Sequence, residues 1–217
     1  MKTKILFISI CLMYVCSTAN AQFITSGDSK SVDDGSNTVN TEKTYFSTAK
    51  GDTRFTYNFY YGMPDVEGAN DGKFALGFEY LWGYYIADNA FVQAGLGWHT
   101  GFARFKEDSR NTITDNFTVI NIPMAIGYNI PLGGKCSLDA YTGPRLNYTI
   151  AGKIEVNDDG DRYKIKYKDI DDLDRFYVDW NVGAAIMFGS FGITAEYRAA
   201  LNDDFADFTH IGIRLVY

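Results

Sequence analysis

Between residues 54 and 217 apolar and polar side chains alternate with a period of two, in eight separate stretches. In the first, Phe55, Tyr57, Phe59, Tyr61 and Met63 share one side, and Thr56, Asn58, Tyr60 and Gly62 share the other. Successive side chains of an extended strand point to opposite faces, whereas a period of 3.6 would scatter each set around a helix axis. Strands are therefore predicted over 55–63, 74–84, 92–102, 120–130, 138–150, 176–188, 191–201 and 208–217. The joints between them alternate as well. Those at 85–90, 131–135 and 189–190 are short, and those at 64–72, 103–116, 151–174 and 200–206 are longer and more polar. Antiparallel neighbours joined in this way put the short turns at one end and the long loops at the other, with the first and last strands both ending at the short-turn side. Pro123 and Pro144 stand almost opposite each other on the fourth and fifth strands. Because proline has no N–H to donate, they predict a bulge or locally weakened pairing there.

The polar face decides which way the apolar face points. It is rich in Gly, Asn and Thr and poor in Lys, unlike a solvated exterior. At mid-strand it carries Glu79, Asp139, Asp179 and Glu196 against Arg145, Arg198 and Arg214. Charges survive in a narrow interior when they are paired, since stranding one costs several kcal/mol. These seven residues are read as an interior ion network, which turns the apolar face outward. On that face aromatic rings gather at two levels. Tyr57, Trp82, Tyr84, Tyr128, Phe188, Phe191 and Tyr217 lie near the short turns, and Phe74, Trp98, Phe102, Tyr148 and Phe176 near the long loops. Amphipathic rings at two levels suit the two interfaces of a bilayer. No apolar run after residue 22 approaches the length of a membrane helix, so a chain of this pattern crosses a bilayer only as a closed barrel.

The first residues read as a targeting segment. Lys2 and Lys4 precede an apolar run from Ile5 to Val15, and Ala19-Asn20-Ala21 forms a small-x-small cleavage site, predicting a signal peptide over 1–21. Removing Lys2 and Lys4 takes the formal charge from 20 − 27 = −7 to 18 − 27 = −9. A strongly acidic chain with no basic cluster in its sequence argues against nucleic acid or an anionic lipid surface as partner. Of the three cysteines only Cys136 follows the cleavage site, so no internal disulfide is available. Residues 22–53, rich in Ser, Thr, Asn, Asp and Gly, read as a polar flexible leader, and 54–217 as one barrel domain.

Candidate chemistry is sparse. His99 and His210 fall on the inward face near the long-loop end, with Asp179 and Glu196 as conceivable partners, but no inward Ser stands at that level and no G-x-S-x-G motif occurs. Asp158, Asp159 and Asp161 around Gly160, followed by Asp169, Asp171, Asp172 and Asp174, supply oxygens of the kind calcium takes, without the spacing of an EF-hand loop. Neither group assigns a catalytic residue, a metal or a cofactor.

The last ten residues carry one further pattern. His210, Gly212, Leu215 and Tyr217 fill the polar, Gly, hydrophobic and aromatic slots of the closing strand of bacterial outer-membrane barrels. With the alternation over 54–217, the chain resembles the small outer-membrane barrels of OmpX or OmpA type, a porin-like outer membrane β-barrel family. The resemblance implies an all-β, eight-stranded, antiparallel up-and-down transmembrane β-barrel in the cell outer membrane, recognised during biogenesis by the barrel-assembly machinery through that closing strand. It further implies a monomer surrounded by outer-membrane lipid, with a side-chain-filled polar interior and four acidic extracellular loops whose partner is left open. A small porin-like channel or an outer-membrane lipid-modifying enzyme would use the same scaffold. A soluble lipocalin-like binder would invert the faces.

Overall fold

A computed structural model describes residues 48–106, 111–159, 161–171, 173–202 and 205–217. The proposed signal peptide, most of the leader, and residues 107–110, Gly160, Asp172, Asp203 and Asp204 lie outside the described residues. Nine strands form: β1 (Thr53–Asp65), β2 (Lys73–Ala87), β3 (Ala90–Lys106), β4 (Thr112–Gly133), β5 (Cys136–Asp158), β6 (Asp161–Lys166), β7 (Phe176–Phe188), β8 (Phe191–Ala200) and β9 (Asp207–Val216). Each of the eight predicted strands is present. Pairing runs β4-β3-β2-β1-β9-β8-β7-β5, and β4 pairs with β5, so eight antiparallel strands close into a ring. The seam joins β1 to β9, where Phe55 and Tyr217 exchange backbone hydrogen bonds of 2.8 and 2.9 Å.

The faces fall as the alternation requires. On β1, Arg54, Thr56, Asn58 and Tyr60 are buried, while Phe59, Tyr61 and Met63 are exposed. The apolar side is the outer one: Leu96 is 67% exposed, and Ile193 and Ile211 are each 60% exposed. That rules out the lipocalin-like arrangement, in which these side chains would line the interior. The outward rings include Trp82, Tyr84, Phe188, Phe191 and Tyr217 at the short-turn end and Trp98, Tyr148 and Phe176 at the other.

Three details depart from the sequence reading. First, the segments 103–116 and 151–174 are not simple loops. β3 and β4 stay paired out to Lys106 and Thr112, β5 runs on to Asp158, and β6 folds back along it before a single 3-10 turn at Tyr167–Asp169. Both faces of this extension meet water, so charged residues interrupt the alternation that marks a half-buried strand. Second, of the bulge or weakened pairing expected at Pro123 and Pro144, the weakened pairing occurs and the bulge does not. Partnering across β4 and β5 passes from Pro123 and Arg145 to Ile126 and Thr142 in constant register and lapses between them; the shifts lie instead at Thr118/Val119 and Pro131/Gly133. Proline here weakens the ladder without inserting a residue. Third, residues 48–52, inside the stretch read as a leader, hydrogen-bond to the β2–β3 turn: Gly51 N–H reaches the Tyr85 carbonyl at 2.8 Å and Asn89 N–H the Thr48 carbonyl at 2.9 Å.

The extension is tied to the barrel mouth by Tyr167, whose hydroxyl donates to Asp115 at 2.5 Å. Burial pushes the Asp115 carboxyl above its ordinary range, and the Tyr167 hydrogen bond pulls it part of the way back. A Tyr167→Phe variant loses that donor. Its Asp115 midpoint, followed by carboxyl-carbon NMR, is expected to lie above that of the unaltered chain, and an equal or lower midpoint contradicts the contact. Inside the ring the strands approach so closely that a Cβ on Gly95 would stand 1.9 Å from the Tyr80 carbonyl oxygen. Gly95→Ala is therefore expected to destabilise the barrel by roughly 1–3 kcal/mol as an overpacked position, measured as a lower denaturant midpoint in detergent.

Candidate functional site

The ring of eight strands leaves a lumen only as wide as the side chains that fill it, and its buried contents are mostly polar. Three strands spaced around the ring contribute the four residues of the central cluster. Glu79 comes from β2, Arg145 from β5, and Glu196 and Arg198 from β8. Arg145 donates to Glu79 and, through Nη2, to Glu196 Oε1 at 2.9 Å. Arg198 donates to Glu196 Oε1 through Nε and to Glu79 Oε1 through Nη2, both at 2.8 Å. Each carboxylate thus bridges both guanidinium groups. Neutral amides complete the shell: Asn58 Nδ2 donates to Glu79 Oε2 at 3.1 Å, and Arg145 Nη1 donates to Asn121 Oδ1 at 2.7 Å.

A second cluster lies toward the short turns. Arg54 donates to Asp139 and, at 2.8 Å, to the Tyr85 hydroxyl, with its guanidinium 4.0 Å from the centre of the Phe91 ring. Asp139 also accepts from Asn129 Nδ2 at 2.7 Å, and Arg214 Nη1 stands 3.8 Å from it. Arg214 reaches across the seam, its Nε donating to Asn58 Oδ1 at 2.9 Å, and its guanidinium lies 4.1 Å from the Tyr141 ring centre. Room for that ring comes from Gly183, where a Cβ would stand 2.4 Å from Tyr141 Cζ.

Of the seven residues expected in the interior, six meet in these two clusters. Asp179 is buried but has no salt bridge among the described residues; Asn147 Nδ2 donates to it at 2.9 Å. Its nearest arginine along the β5 pairing, Arg145, is committed to the two glutamates. Arg54 was missed by the sequence reading, although its parity with Thr56 and Asn58 already placed it on the inner face. Including it, the buried charged set is Arg54, Arg145, Arg198 and Arg214 against Glu79, Asp139, Asp179 and Glu196, four against four. Of the interior aromatics the sequence reading placed only Tyr60 on the inward face. Tyr60, Tyr85, Phe91, Tyr141 and Phe208 are buried, and Arg198 lies 4.8 Å from the Tyr60 ring centre and 4.9 Å from that of Phe208.

The two histidines lie among these rings. His210 stacks on Tyr60 with centroids 4.3 Å apart, 3.9 Å from Glu196 by its Nδ1, and His99 Nδ1 is 3.5 Å from Asn121 Nδ2. His210 is 1% exposed with both ring nitrogens buried, whereas His99, 3% exposed, borders the mouth cavity. Beyond them the lumen opens into a mouth cavity of about 480 Å³, lined among others by Asp115, Phe117, Tyr167, Tyr177 and Phe208. Among the described residues no group of three or more His, Cys, Asp or Glu is placed to hold a metal ion; Gly160 and Asp172, in the acidic stretch, lie outside them.

A profile of the outer membrane protein beta-barrel domain matches residues 17–217, and the closed ring agrees with it. The chain belongs to the outer membrane protein β-barrel domain family. As a family member it resides in the outer membrane, with the apolar band of its strands facing lipid. Similar solved outer membrane β-barrels include Ail, the attachment invasion locus protein of Yersinia pestis, 13% identical over 77% of this chain and 99% of Ail, with a TM-score of 0.45. The N-terminal β-barrel domain of Pseudomonas aeruginosa OprF is 10% identical over 76% of this chain and 97% of that domain, with a TM-score of 0.38. Neisserial surface protein A is 12% identical over 76% and 94%, with a TM-score of 0.40. No curated protein matches the chain.

Removing one member of a buried charge pair leaves its partner uncompensated, at a cost of about 3–5 kcal/mol. Arg145→Ala is expected to destabilise the barrel by about that amount, and Arg54→Met likewise through Asp139, read as lower melting temperatures in detergent. Adding Asp139→Leu to Arg54→Met should recover much of the loss. An unchanged melting temperature in Arg145→Ala contradicts a role for the cluster in holding the barrel.

Proposed function

We propose that the protein is a monomeric outer-membrane anchor with a non-conducting interior, whose role is structural or interactive rather than catalytic. The observation that carries this reading is the Glu79–Arg145–Glu196–Arg198 cluster, which joins β2, β5 and β8 across the lumen. An ion passing through would have to break charge-assisted hydrogen bonds that are each already paired. The enclosed His210 favours the same reading over a lipid-modifying enzyme, since a general acid or base must touch its substrate, and His99, which borders the mouth cavity, pairs with the Asn121 amide rather than with an orienting carboxylate. In this scheme residues 1–21 direct export, residues 22–53 precede the barrel, and His210, Gly212, Leu215 and Tyr217 on the closing strand are read by the barrel-assembly machinery. The part offered to the exterior is not four plain acidic loops but chiefly the β3–β6 extension, rising beside the mouth cavity.

Refolded protein in planar bilayers is expected to give no steady single-channel conductance. A reproducible open level would replace the anchor with the small-porin reading. Arg145→Ala combined with Arg198→Ala should then be the variant that first admits ions, if the cluster is what blocks the lumen.

A further inference from the structure

The outward face of the extension carries a charge pattern that is invisible in the net charge of −7. Above the outer aromatic level, β3, β4, β5 and β6 pair side by side as one sheet. Three cross-strand rows result: Phe102–Asn116–Lys153–Lys166, Arg104–Thr114–Glu155–Lys164 and Lys106–Thr112–Asn157–Arg162. On β3 and β4 these positions have the parity of Trp98 and Ile120, which face lipid. On β5 the register shift opposite Thr118 and Val119 reverses the parity. Odd-numbered residues up to Thr149 point inward, and beyond the shift Lys153 and Glu155 point outward.

The face therefore brings together Arg104, Lys106, Lys153, Arg162, Lys164 and Lys166 against Glu155, which lies 2.6 Å from Lys153 and 3.8 Å from Lys164, and Asp71, 3.8 Å from Arg104. Every residue of β6 is exposed. Lys153 lies three residues beyond the outward Ile150, roughly 10 Å along a strand, and less along the membrane normal because barrel strands tilt by about 40°. Of the remaining acids, Asp158, Asp159 and Asp161 are at the hairpin tip, the end farthest from the barrel, and Asp169 and Asp171 follow the other end of β6.

We propose that this face docks the phosphate-bearing headgroups of outer-leaflet lipid, fixing the extension against the membrane surface. The inference rests on the outer-membrane placement of the barrel with β3–β6 outward. Its geometry favours lipid over a soluble polyanion, because the cations continue the lipid-facing side of the barrel while the acidic tip repels an anion arriving from above. Phosphate at an interface attracts Lys and Arg strongly enough that each charge matters, and salt weakens the attraction.

The test uses the full chain in phosphatidylcholine nanodiscs doped with lipid A carrying two phosphates, one phosphate or none. Lipid retained by the released protein is counted by native mass spectrometry. Retention is expected to rise with phosphate number, to fall with added salt, and to drop by roughly fivefold for each charge removed in Lys164→Gln/Lys166→Gln and in Lys153→Gln. Lys164 and Lys166 lie on β6, outside the eight-stranded ring, so the barrel is preserved, and a heat-modifiability gel verifies it. Lys168→Gln, on the 3-10 turn, is the control expected to change nothing. Equal retention of phosphorylated and phosphate-free lipid A overturns the proposal, as does full retention by an intact barrel of the β6 variant. So does capture of a soluble sulfated polysaccharide without any preference for phosphorylated lipid. A chain that forms no heat-modifiable barrel fails the outer-membrane reading itself, a distinct result.

Discussion

The constraint on which the rest of this structure depends is the neutralisation of charge inside a closed ring of eight strands. A barrel of this size has no room for bulk water at its centre, so each ionised group there must find its compensation within the protein. Four buried arginines balance four buried carboxylates; they contact three of them directly, mostly across the lumen, while Asn147 donates to the fourth, Asp179. Such contacts act as struts as well as charge pairs. They fix the distance between β2, β5 and β8 in a sheet whose backbone bonds alone would allow it to flatten or widen.

Small residues make those struts geometrically possible. The interior alternates between glycine and very large side chains, with Tyr141 lying over Gly183 and the arginine planes lying over tyrosine and phenylalanine rings. A guanidinium group on a ring keeps its charge while losing much of its hydration, because the ring face supplies part of the electrostatic compensation. Aromatic residues therefore serve two environments in this chain. Those outside, such as Trp82 and Trp98, meet the membrane, and those inside hold cations.

Most of the barrel was legible in the sequence because one face meets lipid and the other a packed polar lumen, the condition under which period two is sharpest. Eight strands and the inward Glu79, Asp139, Arg145, Glu196, Arg198 and Arg214 followed from parity alone. Parity fails where both faces are wet or the count slips. Arg104, Thr112, Glu155 and Lys164 belong to paired strands, yet in sequence they resemble loop. The shift beside Thr149 then turns Lys153 outward although Arg145 and Asn147 point inward, so the basic face assembles from four strands and is absent from any one of them. Arg54 was overlooked for a simpler reason: it stands at the very start of the pattern, where only the residues after it, Thr56 and Asn58, declare its side. The polar partner of Asp179 is a matter of side-chain reach, which alternation does not encode.

The seam between β1 and β9 gives the interior a further significance. Glu79 and Arg198 are 119 residues apart in the chain and meet only around a ring; Arg214 and Asn58 meet only across the final pair of strands. In an open sheet entering a membrane, those same arginines and glutamates would face hydrocarbon or one another's empty places. Closing the seam and quenching the charges are consequently a single cooperative event. The polar filling that blocks the pore also makes the half-assembled barrel an unfavourable resident of the bilayer, a built-in check that only a completed circle passes.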